Sequence, residues 1–401
     1  MSDSQNRYQT VVNDLSAMGF TFRVNDLDES IEYSVSNGGW KQLGEIDEAI
    51  IRTDMRELGY GVSGSGKCGK GALKDAIMKN ANDNRYNRIQ EYLESLDGKY
   101  KPSENGPYLI PTLATYVNNP DGMFGTWLFK WMVGAIAKAI EGARNPMLIL
   151  VGPQKTGKSY LSKWLCPHPE HFVRDSINPD DKDSHILLTN MLIWEVEELG
   201  ATTRRSDVES LKAFITRDFV KKRPAYGKSR IDKPAVCSFI GTVNFDGAGF
   251  LNDVTGTTRF LSCEVKGINF DYTQMDVNQL WAEAYWFYKN VAHCWELTKA
   301  DEATQARINA VYEVPSALED TITEIFEITR DNQDYMSSKQ IRDRCAQHYR
   351  ITSDELFFRE LNRVLTKLNI EKGRKRFSDG KQRQAWVGIK PYQVIDLSDD
   401  E

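Results

Sequence analysis

Two short stretches of this chain carry the letters of a phosphate-binding loop. Gly152-Pro-Gln-Lys-Thr-Gly-Lys-Ser159 fits G-x-x-x-x-G-K-[ST] throughout, whereas Gly61-Val-Ser-Gly-Ser-Gly-Lys-Cys68 ends in a thiol. The chemistry such a loop supports is specific. Glycines at 152 and 157 let the backbone curl so that successive N–H groups face an anion. Pro153, Gln154, Lys155 and Thr156 complete the cradle, and Tyr160 follows it. Lys158 would reach the β- and γ-phosphates of ATP, and the Ser159 hydroxyl would ligate Mg²⁺.

Context separates the two stretches. The apolar run MLILV at 147–151 leads into the second loop and SYLSKWL follows it, which gives the strand–loop–helix order the motif needs. Before Gly61 stands IIRTDMRELGY, where Ile50, Ile51, Met55 and Leu58 fit one face of a helix. Cys68 also offers sulfur where a hard cation wants oxygen. The first stretch therefore reads as a glycine-rich connection.

Hydrolysis needs acids near the loop. The run MLIW at 191–194 leads into Glu195-Val-Glu-Glu198. One glutamate can hold the Mg²⁺ hydration shell and another can orient the attacking water, with Glu195, Glu197 and Glu198 all in reach. A third strand, within AVCSFIGTV at 235–243, ends at Asn244, whose amide suits a γ-phosphate or the water. Arg259, in TGTTRFL, suits a finger that stabilises transition-state charge across a subunit boundary.

The elements that must position these groups form three parts. Residues 1–115 mix short strands (FTFRV, IEYSV) with helical stretches, and the expectation is a helical accessory domain. Asp26-Leu-Asp28 within it reads as a turn. Residues 116–300 alternate helix and strand, an α/β pattern. Residues 316–395 read helix, helix, basic hairpin, the order of a winged-helix module. Ser337 or Ser338 would cap its first helix and Ser353 its second. Phe357, Leu361, Val364, Leu365 and Leu368 share the second helix's apolar face, and Arg359, Arg363 and Lys367 repeat on another. With Arg374, Lys375 and Arg376 of the hairpin, they point to nucleic acid.

Composition bounds the rest. A 401-residue chain with 40% hydrophobic and 27% charged residues has room for two or three domains and the profile of a soluble protein. No apolar run suits a bilayer, and the opening MSDSQNRYQTVVND has no signal-peptide core, so a cytoplasmic site and no membrane partner are expected. The six cysteines form no C-x-x-C pair, which argues against a zinc ribbon. The net charge of −6 excludes a globally basic coat but not local basic patches.

The ordered set GPQKTGKS, LIWEVEEL, LKAFITRDFVKKRPAYGK and FIGTVNFDGAGFLNDVTGTTRF resembles the virulence-associated protein E family of phages and genomic islands. That family is related to superfamily 3 helicases and to primase-helicases, within the AAA+ group. The resemblance covers roughly residues 110–290. It implies an AAA+-type P-loop ATPase that forms a ring, expected to be hexameric, and moves on DNA as a helicase in a bacterial host, with a primase or other replication proteins as partners. On it, Lys158 and Ser159 match the Walker A lysine and hydroxyl, Glu195 and Glu198 the Walker B acids, and Asn244 the sensor. Arg259 matches the second arginine of a family pair whose first is Thr258 here. The resemblance also implies a pore hairpin, carrying Lys221, Lys222, Arg223, Tyr226, Lys228 and Arg230, that would track single-stranded DNA; the winged-helix pattern, read apart from the resemblance, would take duplex. An origin-binding initiator is the second reading and a small-molecule kinase the third.

Overall fold

The computed structural model describes residues 3–59, 70–102, 108–197, 205–222, 231–244, 249–251, 259–313 and 316–392. The stretch from Gly61 to Cys68 lies outside them. The chain divides into two compact units, Met1–Asp246 with Asp253–Asn309, and Gly247–Asn252 with Ala310–Glu401.

The first unit opens with α1 (Asp3–Ala17), β1 (Phe20–Asn25), β2 (Ile31–Val35), β3 (Lys41–Gln42), α2 (Glu45–Glu57), α3 (Lys70–Asp83) and β4 (Arg85–Tyr86). The strands join in the order β3-β2-β1-β4, with β4 parallel to β1. The expectation of a helical domain is thus corrected to a mixed one, with a four-stranded sheet. Phe22, Val24, Ile51, Met55, Leu73 and Ile77 fill its core. Of the four apolar residues expected on one face of α2, only Ile51 and Met55 are buried; Ile50 and Leu58 are exposed. Asp26 and Asp28 stand in a turn, where Arg85 pairs with Asp26 and Asp28 accepts the Ser30 amide.

The chain continues through α4 (Arg88–Glu94), α5 (Leu109–Thr115), β5 (Val117–Asn118) and α6 (Phe124–Glu141) to β6 (Met147–Val151). It then runs α7 (Lys158–Trp164), β7 (Phe172–Arg174), α8 (Lys182–Asn190), β8 (Ile193–Glu197), α9 (Arg205–Ile215), β9 (Phe219–Lys222) and β10 (Ile231–Pro234). Next come β11 (Ser238–Val243), β12 (Phe260–Glu264), β13 (Gly267–Ile268), α10 (Val277–Asn290) and α11 (Lys299–Val311). Five strands make a parallel sheet in the order β12-β6-β11-β8-β7. Every residue of β6 and β11 is buried, as expected for central strands covered on both faces.

Tryptophan donors, as well as apolar area, fasten helices to the sheet and to one another. The Trp131 indole of α6 donates to the Phe239 carbonyl at 2.9 Å, and Trp281 of α10 to Leu165 at 2.8 Å. Gly142 ends α6 in the left-handed region (φ 74°), where the Ala143 amide reaches back to Ala137. Glu283 of α10 accepts the amides of Leu109 and Ile110, capping α5 from across the core. Ile89, Leu93, Ile110 and Leu113 join this same core, so residue 115 does not separate two cores.

The second unit holds α12 (Ala317–Ile325), β14 (Phe326–Ile328), β15 (Tyr335–Met336), α13 (Ser338–Cys345), α14 (Asp354–Lys367), β16 (Glu371–Arg376), β17 (Gln382–Val387) and β18 (Ile389–Pro391). Three helices pack together beside a sheet of order β15-β17-β16. Ser337 caps α13 in a reciprocal box with Gln340, and Ser353 caps α14. Phe357, Leu361, Val364 and Leu365 are buried, and Leu368 packs against them partly covered.

Candidate functional site

The loop at 152–157 is sharply bent. A Cβ on Gly152 would stand 2.0 Å from the Val265 carbonyl oxygen, so only glycine lets β6 enter the loop at this point. Lys155 (φ 62°) and Gly157 (φ 94°) are both left-handed and bend the chain around Thr156. The Lys158 ammonium folds back on the loop, donating to the carbonyls of Gly152 (2.9 Å) and Pro153 (2.5 Å). It also reaches Thr156 Oγ1 at 3.3 Å and Asn244 Oδ1 at 3.4 Å. Burial pushes its pKa below the usual lysine value. Its partners are neutral carbonyls and polar side chains of the loop and of Asn244.

Strand β8 runs three residues beyond the expected end of MLIW and begins two residues later, at Ile193. Glu195 therefore does not follow the strand but lies inside it, fully buried. Burial drives its carboxyl pKa up; the Ser159 hydroxyl and the Arg174 guanidinium act against that. Arg174 sits beside Glu195 in the β7–β8 register and donates Nε to its Oε2 at 2.8 Å. The same guanidinium lies 3.4 Å from Glu197 and donates to the Ser159 carbonyl at 3.2 Å. Glu195 Oε1 is buried with no hydrogen-bond partner.

An orphaned buried carboxylate oxygen beside a Walker-type hydroxyl fits a hard divalent cation. Ser159 and Glu195 are the residues that would hold Mg²⁺, with Glu197 exposed at the strand end. Among the described residues no cluster of three His, Cys, Asp or Glu offers an all-protein metal site. Glu198 lies outside the described residues.

The order of the sheet sets the third group. The expected third strand begins at Ser238 rather than Ala235, and it separates β6 from β8. Asn244 leaves its end between the loop and the acids. A cleft of about 340 Å³ results, lined by Gln154, Lys155, Tyr160, Glu197, Thr242 and Asn244 along with the rest of the loop.

Arg259 stands elsewhere. Its carbonyl accepts the Met147 amide at 2.8 Å, at the start of β6, while the loop lies past the far end of that strand. Five residues at about 3.3 Å each separate the two by about 16 Å. The Arg259 side chain does not span that distance to the loop.

The remaining expected contacts divide. Strands β9 and β10 pair antiparallel, with Ile231 opposite Lys222, which forms the base of a hairpin. Lys221 on it is exposed; Arg223, Tyr226, Lys228 and Arg230 lie outside the described residues, as does the Lys222 side chain. In the second unit Arg363 pairs with Glu313 at 3.3 Å and Lys367 with Glu319 at 3.0 Å. Both are half-buried, with their charged ends on these glutamates. Arg359 is exposed. Lys375 is tied to Asn332, while Arg374 and Arg376 stand exposed on the opposite face of β16, across from Gln384 and Gln382.

Sequence reasoning missed Arg174. It belongs to no motif, and only the β7–β8 register brings it to the acids. It also missed Phe270, whose ring lies against the loop at Gly157.

The family model of the virulence-associated protein E-like domain matches residues 104–314. Among solved structures, an apo structure of the NrS-1 C-terminal region is 15% identical, covers 95% of this chain and 99% of its own, and has a TM-score of 0.48. A second apo form of that region is 14% identical, with 94% and 98% covered and a TM-score of 0.49. No curated protein matches the chain. Among the described residues, no helix is long and apolar enough to cross a membrane.

Proposed function

We propose that this chain, which belongs to the virulence-associated protein E-like family, is an ATP-driven motor that moves on DNA during replication of a phage or mobile element. The observation that carries the reading is the meeting of Ser159 with the buried Glu195, whose Oε1 lacks a partner, beside Lys158. Bound Mg²⁺ would neutralise charge on the β- and γ-phosphates. Lys158 exchanges its loop carbonyls for phosphate oxygens, and Asn244 orients the γ-phosphate or the water from the interposed strand. Glu197, at the mouth of the cleft, is the acid placed to accept a proton from that water. Sensor strand, acid strand and loop strand side by side support an AAA+-type ATPase.

A finger that stands about 16 Å from its own loop is useful only to a neighbour. We therefore read the active form as a ring, hexameric by family resemblance, in which Arg259 completes the next subunit's site. The β9–β10 hairpin is the element that would carry Lys228 and Arg230 to single-stranded DNA. The second unit is read as a winged helix that touches duplex phosphate through Arg374 and Arg376 of its hairpin. Because Arg363 and Lys367 are ion-paired, α14 brings few free cations to a groove.

The test is strand displacement on a forked DNA, wild type beside Lys158→Ala. ATP-dependent unwinding by the wild type alone is expected. An ATPase that binds duplex yet never displaces a strand would replace this reading with an origin-binding initiator.

A further inference from the structure

The cleft has two sides, defined by the sheet. Asn244 and Glu197 come from β11 and β8, on one flank of β6. Phe270 follows β13, which continues from β12 on the other flank. Phosphates seated in the loop with their reactive end toward Asn244 and Glu197 direct the nucleoside to the Phe270 side.

What waits on that side is aromatic. Tyr160, in the first turn of α7, is 73% exposed, and Phe270 is 50% exposed. Their rings meet edge to face, with centroids 6.0 Å apart. Phe270 abuts the loop itself, since a Cβ on Gly157 would lie 3.0 Å from its Cζ. It is braced from behind. The buried Tyr272 stacks on it at 6.2 Å and in turn meets Trp164 of α7 at 4.9 Å. Asn269 holds the turn that presents the ring, accepting the Asp271 amide and donating to the Asp271 carboxylate. Exposed aromatic rings held rigidly beside a polar site are the surfaces on which planar ligands stack.

We propose that Phe270, edge-braced by Tyr160, is the shelf on which the purine or pyrimidine ring of the bound nucleotide stacks. The inference rests on the phosphate-loop reading above and adds the residue that holds the base. Every nucleobase presents a π face, so such a shelf binds rings as rings.

Inorganic tripolyphosphate separates the shelf from the loop, because it has phosphates and no base. Affinities of ATP and tripolyphosphate, each with Mg²⁺, are measured on the full chain as wild type, Phe270→Ala, Phe270→Trp and Lys158→Ala. Phe270→Ala should weaken ATP by about 10-fold or more and leave tripolyphosphate within about 2-fold, while Phe270→Trp retains ATP. Equal loss of both ligands in Phe270→Ala would show a damaged loop, and unchanged ATP affinity would show no shelf; either overturns the proposal. Wild type that binds tripolyphosphate no better than Lys158→Ala would overturn the loop reading itself.

Discussion

The Arg259 carbonyl accepts the Met147 amide at 2.8 Å, which fixes the arginine at the end of the sheet opposite the phosphate loop. On the proposed ring reading, an arginine there does not reach its own subunit's nucleotide and instead completes a neighbour's site. Arg259→Ala should therefore keep ATP affinity within about 2-fold and lower turnover by about 10³-fold. Equilibrium binding of a fluorescent ATP analogue beside steady-state ATPase rates checks both halves. Loss of binding would place the arginine in cis and contradict the geometry.

Glu195 yields a prediction with a pH sign. Burial raises its carboxyl pKa, so folding favours the neutral form more than the unfolded chain does. The stability this group contributes is full below the ordinary carboxylate pKa of about 4.3 and is lost as pH rises through the raised value. Without nucleotide, Glu195→Gln should then be more stable than wild type near neutral pH, with the gap closing toward pH ~4. The same variant should need more Mg²⁺ for half-maximal turnover. Thermal melts across pH and a Mg²⁺ titration read the two effects. A stability gap that does not vary with pH would refute the assignment of Glu195 as a buried, charge-strained ligand.

In the second unit, exposed and paired cations make different forecasts. Arg374→Ala with Arg376→Ala should flatten the slope of log affinity for duplex DNA against log salt by about 2. Arg363→Ala should leave that slope unchanged and lower the melting temperature, because it removes the half-buried ion pair with Glu313. Filter binding over a salt series distinguishes them; the reverse pattern would move the DNA contact onto α14.

The two loops of matching letters are separated by one pair of variants. Lys67→Ala should leave ATP turnover within about 2-fold, and Lys158→Ala should reduce it by about 10²-fold or more. A comparable loss from Lys67→Ala would make Gly61–Cys68 a second nucleotide site.

How much of this was legible beforehand follows from where each signal lives. The strand Met147–Val151 and the loop after it were visible because an apolar run and a glycine pattern are local. The end of β8 was not, because a buried carboxylate inside a strand reads as polar and cuts the apolar run short. Its compensation by Arg174 comes from 21 residues upstream through strand register, which no spacing rule exposes. The sheet near the N-terminus was underweighted for a similar reason. Its strands are two to six residues long, and β4 joins β1 only after two strands and two helices of intervening chain. The cations of α14 show the converse. Their four-residue spacing was plain, but Glu313 and Glu319, which occupy two of them, lie well before the helix in sequence.

Co-expression of Arg259→Ala with Lys158→Ala tests the central claim most directly. Each variant alone should be inactive as an ATPase. In mixed rings, a subunit with an intact loop meets a neighbour with an intact arginine at about a quarter of the interfaces, and ATPase activity should return to about that fraction of wild type. Mixed rings that assemble yet stay as inactive as either parent would contradict a nucleotide site shared between subunits.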